Sequence, residues 1–344
     1  MQYSFSDLAF AHGKPKTKGR LKVLNTDFRV DEIMPIQMTG EGEHLWLKIE
    51  KDGSNTDWVA QQLAKFAGVK SMAVSYAGMK DRHAVTTQWF SLHLPGMDDP
   101  DFSDLQTDEF RILQQIRHNR KLKRGASSGN RFQIRITHLE GNIESLEEKL
   151  QIIKKEGVPN YFGEQRFGRE MGNLTKAEKM FNREIKKLKK QHRGLYLSSA
   201  RSWIFNQILS IRIQQDNWLS PMPGEVYMLN AKSACFTGQH QENSEEIRRR
   251  LLDKEINLTA SLWGEGESLA MHDVLELEKL VAAEYKHLAE GLELARLKQE
   301  RRSLRLVPEK LNWEINDDAL NIMFELPTGA FATMVLRECI EVPN

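Results

Sequence analysis

The sequence predicts an α+β fold interrupted by a mainly helical insertion. Before Ile143 the apolar residues follow the two-residue period of strands, and after it they follow the period of helices. Strand-like sequence returns only near the end, in 319–326. A chain of 344 residues also exceeds one ordinary domain, so two are expected.

Residues 21–24, the turn-forming Asn25-Thr26-Asp27 and the alternating stretch 28–33 read as a hairpin. Residues 44–50 alternate in the same way. Asn55 or Thr56 is placed to cap a helix carrying Trp58, Val59, Leu63 and Phe66, which Gly68 stops. A short strand, 73–77, leads into a Gly-Met-Lys-Asp-Arg-His turn, and strands follow at 87–94 and 131–136. Helical patterns then cover 144–155, 174–191, 198–215, 245–254 and 274–298, interrupted by a Pro- and Gly-rich stretch at 220–240. After the strand at 319–326, Pro327-Thr328-Gly329 turns into a short helix beginning at Ala330. Because that last strand looks like the early ones, the helical block reads as an insertion over 157–303, within a discontinuous domain of 1–156 and 304–344.

No apolar run approaches the ~20 residues that span a bilayer. The opening MQYSFSDLAF lacks the basic-then-apolar layout of a signal peptide. The two cysteines, Cys235 and Cys339, form no CxxC, which argues against a disulfide framework or zinc ribbon and fits a reducing cytoplasm. The net charge is only +1, but the cations are segregated. Eight lie between Arg111 and Arg135 without one acid; a second run covers Arg183–Arg193, and a third covers Arg296–Arg305. Acids gather elsewhere, as in 98–109 and 265–293. Each run also suits a solvated face; three together suit a polyanion binder, RNA or DNA.

The densest reactive cluster is Gly78-Met79-Lys80-Asp81-Arg82-His83-Ala84. Gly78 permits close ligand approach or an unusual backbone angle. The cations around Asp81 would keep its carboxylate ionised even when partly buried, as a nucleophile requires. The same residues also suit a polar turn in which Asp81 caps the backbone. Neighbours in an extended chain point to opposite sides, so Lys80 need not touch Asp81. Asn130 can read a base edge or simply make a turn with Gly129. Phe28 and Phe331 can stack on an unpaired base or belong to the core. The run from Asn160 to Arg169, NYFGEQRFGR, suits both nucleic-acid contact and a packed junction. No P-loop, no GxGxxG after a strand, no HExxH and no GxSxG occurs, so a reaction needing no metal and no nucleotide cofactor fits best.

At these segments the chain resembles the TruD family of tRNA pseudouridine synthases, over nearly its whole length. Gly78-Met79-Lys80-Asp81-Arg82-His83-Ala84-Val85-Thr86-Thr87-Gln88 is similar to the family's G-x-K-D-x-x-A-x-T-x-Q segment. NYFGEQRFG is similar to its N-Y-F-G-x-Q-R-F-G, Asp27–Glu32 to its D-F-x-V-x-E, Gly129–Phe132 to its G-N-x-F, and Phe331-Ala332-Thr333 with Arg337-Glu338 to its F-A-T…R-E. The resemblance implies a mixed, largely antiparallel sheet with flanking helices. It makes 1–156 with 304–344 the catalytic domain and 157–303 the family-specific insertion. It also implies Asp81 as nucleophile, Phe28, Asn130 and Phe331 lining the uridine pocket, and Lys80 as a further substrate-binding residue. No metal or other cofactor is expected. The implied partner is tRNA, modified at uridine 13 of the D arm, and neither a membrane nor an obligate protein partner is indicated. A non-catalytic RNA-binding protein and a metal-dependent nuclease built on Asp81 are the competing readings; the nuclease lacks an accompanying acidic cluster.

Overall fold

Every residue of the strand Val85–His93 except His93 is buried, the pattern of a central strand covered on both faces. The computed structural model that contains it describes residues 3–105, 107–230, 232–238 and 244–342. In chain order the strands are β1 (Thr17–Leu21), β2 (Phe28–Ile33), β3 (His44–Asp52), β4 (Val74–Tyr76), β5 (Val85–His93), β6 (Phe110–His118), β7 (Gly129–Gly141), β8 (Val158–Pro159), β9 (Val226–Leu229), β10 (Cys235–Thr237), β11 (Ile256–Leu262), β12 (Glu300–Ser303), β13 (Arg305–Leu306), β14 (Glu309–Asn316) and β15 (Ala319–Pro327). The helices are α1 (Thr56–Phe66), α2 (Ile143–Glu156), α3 (Gly172–Phe181), α4 (Lys190–Gln214), α5 (Glu245–Leu252), α6 (His272–Glu284), α7 (Lys286–Leu294) and α8 (Ala332–Cys339).

Nine strands form one sheet in the order β14-β15-β7-β2-β5-β3-β6, with β1 also on β7 and β4 also on β5. All its pairings are antiparallel except β2 with β5, so the sheet is mixed and largely antiparallel. The expected hairpin between 21–24 and 28–33 does not form. Leu21 pairs with Ile136 and Phe28 with Ile134, so β1 and β2 follow one another along the same edge of β7. Both run antiparallel to β7 and hence parallel to each other, which no hairpin allows. Lys22, at φ 58°, begins the excursion between them.

The chain divides into two units. One comprises Pro15–Glu148, Pro308–Ala332 and Ile340–Asn344, and it holds the nine-stranded sheet; the other comprises Met1–Lys14, Lys149–Val307 and Thr333–Cys339. The boundaries therefore differ from 157–303: the N-terminal stretch and most of α8 join the second unit. The cause is visible in their hydrogen bonds. Arg337 donates to the carbonyls of Leu8 and Ala9 (3.1 Å for Ala9), and the Glu338 carboxylate accepts from the His12 backbone N–H at 3.1 Å.

The second unit carries a four-stranded antiparallel sheet, β10-β9-β11-β12, beside its helices, which the helical periodicity did not reveal. Strands β9 and β10 arise inside the Pro- and Gly-rich 220–240 stretch, of which residues 231, 239 and 240 lie outside the described set. The expected helix 174–191 ends at Phe181, and α4 restarts at Lys190; Arg183 between them sits at φ 59°. The expected helix 274–298 breaks into α6 and α7 at Tyr285. Among the described residues no helix is long and apolar enough to cross a membrane.

Candidate active site

The turn before β5 is held by side chains that the pattern of strands brings beneath it. Gln88 donates from Nε2 to the Gly78 carbonyl at 3.1 Å. Its Oε1 accepts from the Thr56 hydroxyl at 2.9 Å, and that hydroxyl oxygen accepts from the Lys80 backbone N–H at 3.1 Å. Thr56 thus serves the turn; neither it nor Asn55 caps α1 through its side chain. Gly78 has no positive φ, and a Cβ there would meet nothing within 4 Å, so neither packing nor backbone strain requires glycine. The Asp81 carbonyl accepts from Lys51 Nζ at 2.7 Å, and the same ammonium donates to the Ser54 carbonyl at 2.9 Å. Lys51 is fully buried; burial lowers its pKa to about 8, although the nearby Asp81 charge favours the protonated form.

The Asp81 carboxylate is partly exposed, at 43% of its side-chain surface. Its Oδ2 accepts a hydrogen bond from Lys22 Nζ, and its Oδ1 accepts from the His83 backbone N–H at 3.0 Å. Burial pushes the carboxyl upward, but the Lys22 bond and charge with the His83 N–H outweigh it and hold the pKa below the ordinary aspartate value. The group is ionised at neutral pH and open on one side. Of the neighbouring cations in sequence, His83 adds to the downward shift, whereas Arg82 Nε donates to the Gly53 carbonyl at 2.8 Å and Lys80 points elsewhere.

Lys80 Nζ donates to Asn130 Oδ1 and lies 3.5 Å from Glu32 Oε1. Glu32 is buried and also accepts from the Trp89 backbone N–H at 3.0 Å. Burial lowers the Lys80 pKa, and Glu32 opposes that shift. An ammonium can only donate, so it fixes the Asn130 amide with the oxygen inward and leaves the NH2 as the outward donor. Register accounts for the grouping. Glu32 pairs with Asn130, Val30 with Phe132 and Phe28 with Ile134, so Phe28, Glu32 and Asn130 share one face of the sheet. Gly129 is required here, since a Cβ would lie 2.4 Å from the Leu326 carbonyl oxygen on β15.

Phe28 is buried, edge-on to Phe132 at 6.2 Å, with Lys22 Nζ 4.3 Å from its ring centre. It is therefore joined to Asp81 through Lys22. Phe331 is half-buried at the entry to α8, just after β15. That connection is tied to the start of β7, where Thr328 donates to the Ser127 and Ser128 carbonyls (2.7 and 3.2 Å). Of the residues expected from sequence, Lys80 and Asn130 meet directly, Phe28 adjoins the Asp81–Lys22 pair, and Phe331 follows the end of β15, whose Leu326 pairs with Asn130. Lys22, Glu32, Lys51 and Thr56 join the site without being among the residues expected from sequence. Glu32 and Gln88 lie inside recognisable motifs, whereas nothing local marks Lys22.

The basic runs separate on folding. In the third, Arg301 pairs with buried Glu278 at 2.8 Å, Arg302 lies 4.1 Å from the Phe162 ring centre, and Arg305 bonds Asn257 Oδ1 at 2.9 Å. Phe162, Tyr161 and Phe167 of NYFGEQRFGR are buried, and Asn206 exchanges two 2.9 Å hydrogen bonds with the Phe162 backbone. The motif's aromatic residues and Arg301, Arg302 and Arg305 are thus engaged within the second unit, while Arg296 and Lys298 of the same run are exposed. The cations of the second run, Arg183 to Arg193, are all exposed. Among the described residues no group of three or more His, Cys, Asp or Glu side chains could hold a metal ion.

A sequence profile of the tRNA pseudouridine synthase D (TruD) family matches residues 7–174 and 169–339. The tRNA pseudouridine synthase D of Hydrogenovibrio crunogenus is 43% identical over 340 residues, covering 98% of this chain and 97% of the relative. That of Methylococcus capsulatus is 44% identical over 338 residues, covering 98% and 95%. A crystal structure from Methanosarcina mazei, named for tRNA pseudouridine synthase D, has the same fold, with a TM-score of 0.74 at 23% identity over 96% of this chain and 95% of that one.

Proposed function

Because the chain belongs to the tRNA pseudouridine synthase D family, we propose that it isomerises a tRNA uridine to pseudouridine, at position 13 of the D arm, with Asp81 as nucleophile and no cofactor. The observation that carries this reading is the ionised, one-side-open Asp81 carboxylate on a turn fastened by Gln88, Thr56 and Lys51. The reaction breaks the C1′–N1 bond, turns the uracil and rejoins it through C5, so no atom or electron is gained or lost. Asp81 starts it either by adding to the nucleoside or by removing a ribose proton; both routes need the ionised form held by Lys22. Phe28 and Phe331 supply aromatic surface to the extruded base. The Asn130 NH2 is placed to donate to a uracil carbonyl, and Lys80 takes the role of orienting Asn130.

The test is pseudouridine formation on unmodified tRNA in EDTA by wild type and Asp81→Asn. Wild type should turn over, and the variant should lose about three orders of magnitude or more in rate while still binding tRNA. An Asn variant that works at the wild-type rate removes Asp81 from the nucleophile role. A wild type inactive on every tRNA favours a binding protein.

A further inference from the structure

The first basic run is only partly neutralised by folding. Arg111 pairs with Glu50 at 2.7 Å, Arg117 with Asp99 and Arg131 with Glu325, and Arg124 lies over the Tyr76 ring at 4.3 Å. Arg120, Lys121 and Lys123 remain exposed, and none has an ion pair among the described residues. They do not lie on a loose loop. The Arg120 carbonyl accepts from Trp46 Nε1 at 2.9 Å, the Leu122 N–H donates to Ser91 Oγ at 3.0 Å, and Leu122 is buried between Trp46, Trp89 and Ala77.

These three cations are among the residues that line a groove of about 590 Å³. Gln37, Thr39 and Asn119 add polar groups to it, and its lining contains no acid. His118, also in the lining, has its pKa lowered by burial and by Arg120, so it stays neutral and free of its own counterion demand. Three like charges held close by a rigid backbone repel one another. A ribose-phosphate backbone relieves that repulsion and releases its own counterions on binding.

We propose that this groove is a second RNA contact on the unit that carries Asp81, binding the phosphate backbone of the tRNA through Arg120, Lys121 and Lys123. The contact is mechanically joined to the reacting centre. The Gly125 N–H donates to the Ala77 carbonyl at 2.8 Å, one residue before the Gly78–Asp81 turn, and Arg124 bonds the hydroxyl of Tyr76 at 3.0 Å. A strand gripped in the groove is therefore held in register with Asp81. This inference rests on tRNA being the substrate.

The test compares wild type, Arg120→Gln/Lys121→Gln/Lys123→Gln, and the charge-keeping Arg120→Lys/Lys121→Arg/Lys123→Arg. A tRNA transcript is titrated at several salt concentrations, and pseudouridine is then measured at saturating tRNA. The neutralised variant should bind about tenfold more weakly with its salt slope flattened by about 2–3, one phosphate contact per lost charge. The charge-keeping variant should behave as wild type. A neutralised variant that keeps the wild-type Kd and slope overturns the groove assignment, whatever its turnover. So does equal weakening by the charge-keeping variant, which would mean that side-chain shape rather than charge is at work. If wild type binds with this groove-dependent slope but forms no pseudouridine, the isomerase reading fails and the RNA contact stands.

Discussion

Lys22 and Asp81, 59 residues apart in the chain, are joined in one hydrogen-bonded ion pair. The pair exists because β1 and β2 both lie on β7, so the chain between them swings out with Lys22 in a left-handed conformation and the ammonium over Phe28. Phe28 thus steadies the cation that keeps the carboxylate charged.

Lys22→Met removes the strongest influence holding the Asp81 pKa down and leaves the upward push of burial unopposed by that charge. The acid limb of the pH–rate profile should move to higher pH, and turnover at neutral pH should fall by about tenfold to a hundredfold through loss of aim. Binding of tRNA should change little. A pH profile that superimposes on wild type rejects Lys22 as the controlling charge.

Lys51→Met tests the buried ammonium under the Asp81 carbonyl. Turnover should drop while the tRNA Kd stays within about twofold, because the turn loses its tether but the RNA surface does not. The linkage has a definite sign. The folded pKa of about 8 lies below the ordinary 10.5, so between these values the unfolded chain binds more protons and stability rises with pH. Below about 8 the full cost of the buried charge is present. Unfolding measured across that window should show a shallower slope for Lys51→Met than for wild type; equal slopes would mean that the amine titrates normally.

Lys80→Met leaves Glu32 as an uncompensated buried carboxylate and should cost about 3–5 kcal/mol of stability. Adding Glu32→Gln should return part of that loss, since the amide needs no counter-charge. Chemical denaturation of the two single variants and the double variant reads the coupling. Simple additivity would show that the pair does not act as a unit.

Neutralising Lys186, Lys187, Lys189 and Lys190 should weaken tRNA binding and reduce its salt dependence, because these exposed cations have no acid against them among the described residues. Arg301→Met should do the opposite: destabilise the second unit by about 3–5 kcal/mol by stranding Glu278, without changing the salt slope of the folded protein. A slope unchanged in the lysine variant would assign that run to solvent alone.

Sequence alone carried the family motifs, the turn that bears Asp81, the α+β pattern and the principal-sheet strands β2, β3, β4, β5, β7 and β15, though not β1, β6 or β14, because periodicity and motif spacing are properties of covalent neighbours. It also carried the three basic runs, but not their fates. Whether a cation faces solvent, as Arg120 does, or a buried carboxylate, as Arg301 does, depends on segments far away in the chain. The same holds for the site. Lys80 sits beside Asp81 in sequence, yet strand register gives it to Glu32 and Asn130, while Lys22 reaches the carboxylate because β1 and β2 share an edge of β7. Tertiary structure decided the partners, since charge pairing acts across a few ångströms of space and is indifferent to distance along the chain.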